Sequence, residues 1–178
     1  GKFSITFRTR SSSPNDLTIR CFSGFSQKSP PVVQIRLKVE INCYEHFNEL
    51  GLVKVPFSYE SLWASGSCNL TTYKLEELLG TKMRALYQRK KGRDLFDLAY
   101  ALQNAEVNPE EVVRCYKRYI GFVVETPPTY KQFVANMEEK LADPEFTGDT
   151  VKLLRPGISY DPTSAWETVR ETLIELIR

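Results

Sequence analysis

The chain has 178 residues, with 24 Lys+Arg against 22 Asp+Glu and a formal net charge of +2. Its 42% apolar and 26% charged residues are those of an ordinary globular chain, which excludes disordered, collagenous and coiled-coil proteins. No apolar run reaches the roughly 20 residues of a membrane helix, and the first residues lack the charged-then-apolar pattern of a signal peptide. No membrane partner is therefore expected, and the cysteine usage points to a reducing cytoplasm. The small net charge is a difference of two unlike halves. Residues 1–105 carry 15 basic and 9 acidic groups, whereas 106–178 carry 9 and 13. An anionic ligand is expected to meet the first half.

The elements follow in chain order. Phe3, Ile5 and Phe7 alternate with polar residues and, after the turn-rich stretch 11–16, so do Leu17, Ile19 and Cys21. This predicts an antiparallel hairpin with a long loop. The clearest strand follows: Val33, Ile35, Leu37, Val39 and Ile41 form one face, and Gln34, Arg36, Lys38, Glu40 and Asn42 the other. Cys21, Cys43, Cys68 and Cys115 show no C-x-x-C spacing, and Cys43 with His46 supplies too few ligands for zinc. Reduced cysteines and no structural metal are expected.

From Tyr73 the apolar period becomes helical. A helix is predicted from Lys74 to Lys90, stopping near Gly92 as its cap, with Arg89, Lys90 and Lys91 in its last turn. A second runs from Arg93 to Asn104. Asn108-Pro109 opens a third through Val123, Thr129 a fourth to Leu141, and Asp161-Pro162 a last one to Ile177. The class is α+β, a partial antiparallel or mixed sheet followed by a helical lobe of four or five helices, with strand-rich residues 1–70 and helical residues 71–178.

At about 100° per residue, Leu75, Leu78, Leu79, Met83 and Leu86 share one stripe of the first helix, and Lys82 falls inside it. A lysine there must snorkel, be paired or face a cleft that binds an anion. Around it stand Lys82, Arg84, Arg89, Lys90, Lys91 and Arg93, followed by Asp94 and Asp97 on one helical face. The plain reading is a solvated helix end with local ion pairs. The sharper one is a phosphate-binding surface with Lys82 on the phosphates and an Arg93–Asp94 pair fixing the helix junction.

The run Glu76-Glu77-Leu78-Leu79-Gly80-Thr81-Lys82-Met83-Arg84-Ala85-Leu86, followed by Arg93-Asp94-Leu95-Phe96-Asp97-Leu98, resembles the signature helix pair of the AbiEii/AbiGii family. These are nucleotidyltransferase-like toxins of abortive-infection toxin–antitoxin systems. Residues 143–146 and 156–166 resemble that family's C-terminal region, so the likeness covers most of 32–178. The resemblance implies Mg²⁺-dependent transfer of a nucleotide from a nucleoside triphosphate to an RNA (such as tRNA) or protein acceptor, and a cognate antitoxin as partner. It implies catalytic roles for Lys82, Asp94 and Glu40. Lys82, Arg89, Arg93 and Asp97 would bind nucleotide, and Glu40, on the strand Lys38–Ile41, would supply part of the metal site. The family's Gly-Ser turn with a following Asp-x-Asp is absent, since the chain contains no Asp-x-Asp. A chain that begins at Gly1 without Met is expected to be a piece of a longer protein, and one carboxylate is too few to hold the metal, so the chain itself is expected to be inactive.

Two other readings compete. One is a non-catalytic nucleotide- or RNA-binding module using Lys82, Arg89 and Arg93. The other is a helical docking lobe for a protein partner, with Tyr116, Tyr119, Phe122 and Tyr130 as anchors, against which core packing of those aromatics is the favoured alternative.

Overall fold

The computed structural model describes residues 8–10, 18–26 and 34–42 as backbone, and residues 45, 47–62, 64–155 and 157–178 in full. The predicted strand residues Phe3, Ile5, Phe7, Leu17 and Val33, and the pair Cys43 and His46, lie outside the described residues. The chain divides into two units, Gly1–Phe47 and Asn48–Arg178.

Alternation builds the first unit's sheet. β1 (Arg8–Arg10), β2 (Thr18–Ser26) and β3 (Gln34–Asn42) pair antiparallel in that order. Thr9 stands opposite Cys21, and Glu40 opposite Arg20. β3 is the alternating run that the sequence marks most clearly, and its side-chain period of two sets every second residue on one face.

The second unit opens with a hairpin that the sequence reading does not anticipate, although all but its last three residues lie on the strand-rich side of the 70/71 division. β4 (Leu52–Glu60) and β5 (Ser65–Tyr73) pair from Leu52 opposite Tyr73 to Glu60 opposite Ser65. Gly51, at φ 83°, turns the chain into β4, a conformation that only glycine adopts cheaply. Pro56 interrupts the β pattern, but in a two-stranded ribbon every strand is an edge and tolerates a missing donor.

Five helices of 11 to 15 residues follow, matching the four or five predicted: α1 (Leu75–Gln88), α2 (Gly92–Asn104), α3 (Pro109–Val123), α4 (Tyr130–Leu141) and, after a short α5 (Pro144–Gly148), α6 (Pro162–Thr172). Their N-termini are written in the sequence. Asn108 Oδ1 accepts from the backbone N–H groups of Glu110 and Glu111, Thr129 and Gln132 form a capping box, and Asp161 caps Thr163 and Ser164. The last helix stops five residues earlier than predicted and continues as a 3₁₀ turn, Ile174–Ile177.

α1 packs on α3 and α2, and α2 on α6, around Met83, Leu86, Leu95, Leu98, Val112, Tyr116, Ile120, Phe133, Met137 and Val169. Tyr116 and Tyr119 are core residues, as the packing alternative has it, whereas Phe122 is 42% exposed. Leu75 and Leu78, placed on the buried stripe by the helical wheel, are each 38% exposed, because α1 buries the stripe centred on Leu79, Met83 and Leu86. No helix among the described residues is long and apolar enough to cross a membrane.

Two glycines let helices touch. A Cβ on Gly80 would stand 2.6 Å from Cys115 Cβ and 2.9 Å from the Tyr116 amide nitrogen, so α1 and α3 meet backbone to backbone there. Gly92 corrects an expectation. It does not cap α1 in a left-handed turn; it is the first residue of α2, and a Cβ on it would meet the Phe146 carbonyl oxygen of α5. Gly80→Ala is expected to lower the unfolding free energy by about 1–3 kcal/mol, because rigid backbone must move. Gly121→Ala, on α3 with open space around it, is expected to raise it by about 0.5–1 kcal/mol through helix propensity. Chemical denaturation of both variants checks the pair, and equal signs would contradict the packing.

Candidate functional site

The α1–α2 junction is built around one carboxylate. Asp94 lies in the first turn of α2 and is completely buried. A buried carboxylate is tolerated only when charges and hydrogen bonds replace the water it has lost. α1 ends at Gln88, and Arg89 is extended, at φ −125° and ψ 160°. That bend returns the Arg89 side chain across the start of α2. Its guanidinium forks onto Asp94, Nε donating to Oδ2 at 2.6 Å and Nη2 to Oδ1 at 2.7 Å. The planar fork matches a carboxylate in a way lysine does not, and this hydrogen bonding raises the Arg89 pKa against the opposing effect of burial.

Lys82 completes the cluster. Its Nζ donates to Asp94 Oδ1 at 3.3 Å and lies 2.6 Å from Asp97 Oδ2. The two aspartates stand three residues apart on α2, so one ammonium reaches both. Asp94 is fully buried, while Lys82 and Asp97 are 35% and 43% exposed. The cluster is thus a buried carboxylate with two cations at its outer rim, the Lys82 ammonium and the Arg89 guanidinium, which is 51% exposed. Of the options open to a lysine on an apolar stripe, Lys82 takes pairing.

The other predicted residues separate. Arg93 does not pair with Asp94. Arg89 has taken that carboxylate, and Arg93 turns to α5 and beyond, its amide donating to Asp149 Oδ2 at 3.3 Å and its Nε lying 3.9 Å from the same oxygen. Lys90 pairs with Asp143, which holds the Asp143 carboxyl below its ordinary pKa and the lysine above its own. Arg89, Lys90 and Lys91 form the interhelix junction instead of the last turn of α1. Glu40 lies on β3 in the first unit.

Two site-supporting residues escape a reading of local sequence. Lys140, near the end of α4, is 7% exposed, and its Nζ donates to the carbonyls of Leu86 and Tyr87, the latter at 2.8 Å. These are among the carbonyls that the end of α1 leaves without helical partners, so a cation from another helix closes the turn that precedes Arg89. Burial lowers the Lys140 pKa to about 8, against the pull of Asp94 and Glu139. Its signal was its place on the stripe Phe133, Met137, Lys140, the same anomaly that marks Lys82. Glu77, also fully buried, accepts from the amides of Glu49 (2.7 Å) and Leu50 (3.0 Å) and from the Tyr119 hydroxyl (2.7 Å), anchoring the chain before β4 onto α1 and α3.

The donor set does not suit magnesium, which takes several oxygen ligands. The Asp94 oxygens are taken by Arg89 and Lys82, Asp97 meets Lys82, and no group of three or more His, Cys, Asp or Glu able to hold a metal occurs among the described residues.

Arg89→Ala is expected to cost about 3 kcal/mol of stability, because it leaves the buried Asp94 carboxylate with Lys82 as its remaining cation, and much less in an Asp94→Asn background. A double-mutant cycle measures this coupling, and additive losses would contradict the fork. Lys140 gives a pH test. A lysine whose folded pKa is below its unfolded value binds fewer protons when folded, so its contribution to stability rises with pH from about 8 to 10.5. The stability lead of the unaltered protein over Lys140→Met is therefore expected to widen across that range. A lead that is flat or shrinks would contradict the burial of the amine.

The profile of the family described as "Nucleotidyl transferase AbiEii toxin, Type IV TA system" matches residues 2–172, nearly the whole chain and more than the stretch from residue 32 that carries the resemblance. No curated protein and no solved structure matches. With a family match that runs from the first sheet through α6, the chain belongs to the AbiEii nucleotidyltransferase toxin family of Type IV toxin–antitoxin systems.

Proposed function

We propose that the α1–α2 junction contacts the phosphates of a nucleoside triphosphate, with Lys82 as the contacting cation, in a toxin that transfers a nucleotide to an RNA or protein acceptor. The observation that carries this reading is the placement of Lys82. It is held at a fixed point by two carboxylates of which one is buried, yet it is about a third exposed. An ammonium has three donor hydrogens. Two are directed to Asp94 and Asp97, which leaves one for a phosphate oxygen on the open side.

Each neighbour has a role in this reading. Arg89 balances Asp94, so that the carboxylate orients Lys82 without needing it for charge neutrality. Asp97 keeps the ammonium at the rim and yields it when phosphate arrives. Arg93 and Arg89 add positive potential but are engaged elsewhere, so they steer a nucleotide more than they grip it. In this reading the residues of the second unit bind and orient. Transfer also needs carboxylates beyond Glu40, because the chain holds no Asp-x-Asp pair and the Lys82 cluster does not suit the magnesium that the family implies. A cytoplasmic location, where nucleoside triphosphates and a cognate antitoxin are at hand, accords with this role.

Titration of fluorescent nucleoside triphosphates into the full chain tests the reading. Binding is expected to weaken at least tenfold in Lys82→Ala, the loss of one charge-assisted hydrogen bond of about 1.5–3 kcal/mol, and to weaken with added salt. Absence of binding at millimolar nucleotide, or binding indifferent to Lys82, would overturn it.

A further inference from the structure

A second surface lies away from the α1–α2 junction. An open groove of about 920 Å³ runs between α3, the segment leading into α4, and the 3₁₀ turn. Pro127, Pro128 and Tyr130 form much of its wall, and its lining is almost wholly apolar. Lys117 of α3 and Lys131 of α4 stand at it, both exposed, and neither meets a carboxylate among the described residues. Glu175, the carboxylate bonded to two of the lining residues, is already satisfied. It accepts from the Tyr130 hydroxyl at 2.8 Å and pairs with Arg178 at 2.8 Å. Two free cations therefore flank an apolar trough in the half of the chain whose balance is negative.

We propose that this groove docks an acidic polypeptide segment carrying a large apolar side chain. The apolar trough supplies the anchor site, and the two lysines supply the charge complementarity that selects an acidic partner. The groove is more open than enclosed, which suits a peptide laid across it better than a small molecule enclosed on most sides. A single-stranded nucleic acid would need free aromatic faces on which bases stack. Here the Tyr130 ring is covered by the Arg178 guanidinium, 4.3 Å from its centroid, and Tyr116 is buried edge-on against Phe133. The observations favour peptide over RNA.

The test is selection of a random 12-residue displayed peptide library on the full chain, with counter-selection on a Lys117→Glu/Lys131→Glu variant whose melting temperature matches that of the parent. Enriched peptides are expected to be net acidic with at least one Phe, Leu, Ile or Trp. The leading peptide, made synthetically, is expected to bind the parent at least tenfold more tightly than the variant by fluorescence anisotropy, and to lose binding when its apolar residues become Ser. No enrichment over the variant, enrichment of basic or wholly polar peptides, or tighter binding of a 12-nucleotide oligouridylate that the same variant abolishes would each overturn the proposal.

Discussion

Asp94 is the constraint on which the helical unit is arranged. Its carboxylate sits with no exposure at the start of α2, and an unbalanced charge there would cost more than most single interactions return. The structure answers with Arg89 in a bidentate fork and Lys82 on the remaining direction. That answer fixes the bend after Gln88, the crossing of α1 and α2, and the position of the one ammonium at the rim. Lys140 closes the end of α1 from a third helix, so the site's geometry depends on a residue that lies more than fifty positions away.

Six cations within twelve residues look like an open basic patch, but most of that charge is spoken for. Lys82 meets Asp94 and Asp97, Arg89 meets Asp94, Lys90 meets Asp143 and Arg93 meets Asp149. The exposed pairs among these add little stability one by one, yet they convert a charge cluster into a joint that ties the α1–α2 junction to the α5 region. A phosphate site here consequently rests on the exposure and orientation of Lys82. The density of positive charge, which first draws attention to the segment, carries much less of it.

Much of the fold was legible because its signals are local. Asn108-Pro109, Thr129 with Gln132, and Asp161-Pro162 each start a helix where their side chains meet the free amides of the first turn. The alternation through Ile41 gives β3 directly. The β4–β5 hairpin was missed although Val53, Val55, Phe57 and Tyr59 alternate, since Pro56 breaks the pattern and polar residues dominate β5. At the site, spacing set Lys82 on the apolar stripe of α1 and put Asp94 and Asp97 on one face of α2, without joining the lysine to the aspartates. It assigned Asp94 the wrong arginine, because the choice between Arg89 and Arg93 depends on a backbone bend that periodicity does not encode. Glu77 and Lys140 are buried through contacts 27 to 54 residues apart; the place of Lys140 on an apolar stripe hints at its burial, and nothing in the local pattern does so for Glu77.

The central claim is that Lys82 is held, charged and outward-facing, for a phosphate oxygen. It is tested most directly by NMR of the lysine ammonium groups in the full chain, with Lys82 assigned through Lys82→Arg, during titration with ATP. The expected result is a saturable shift of the Lys82 Nζ resonance, larger than that of Lys90 or Lys91, and absent in Asp94→Asn, where the orienting carboxylate is lost. A Lys82 resonance that stays still while ATP binds, or that moves no more than the neighbouring lysines, would contradict it.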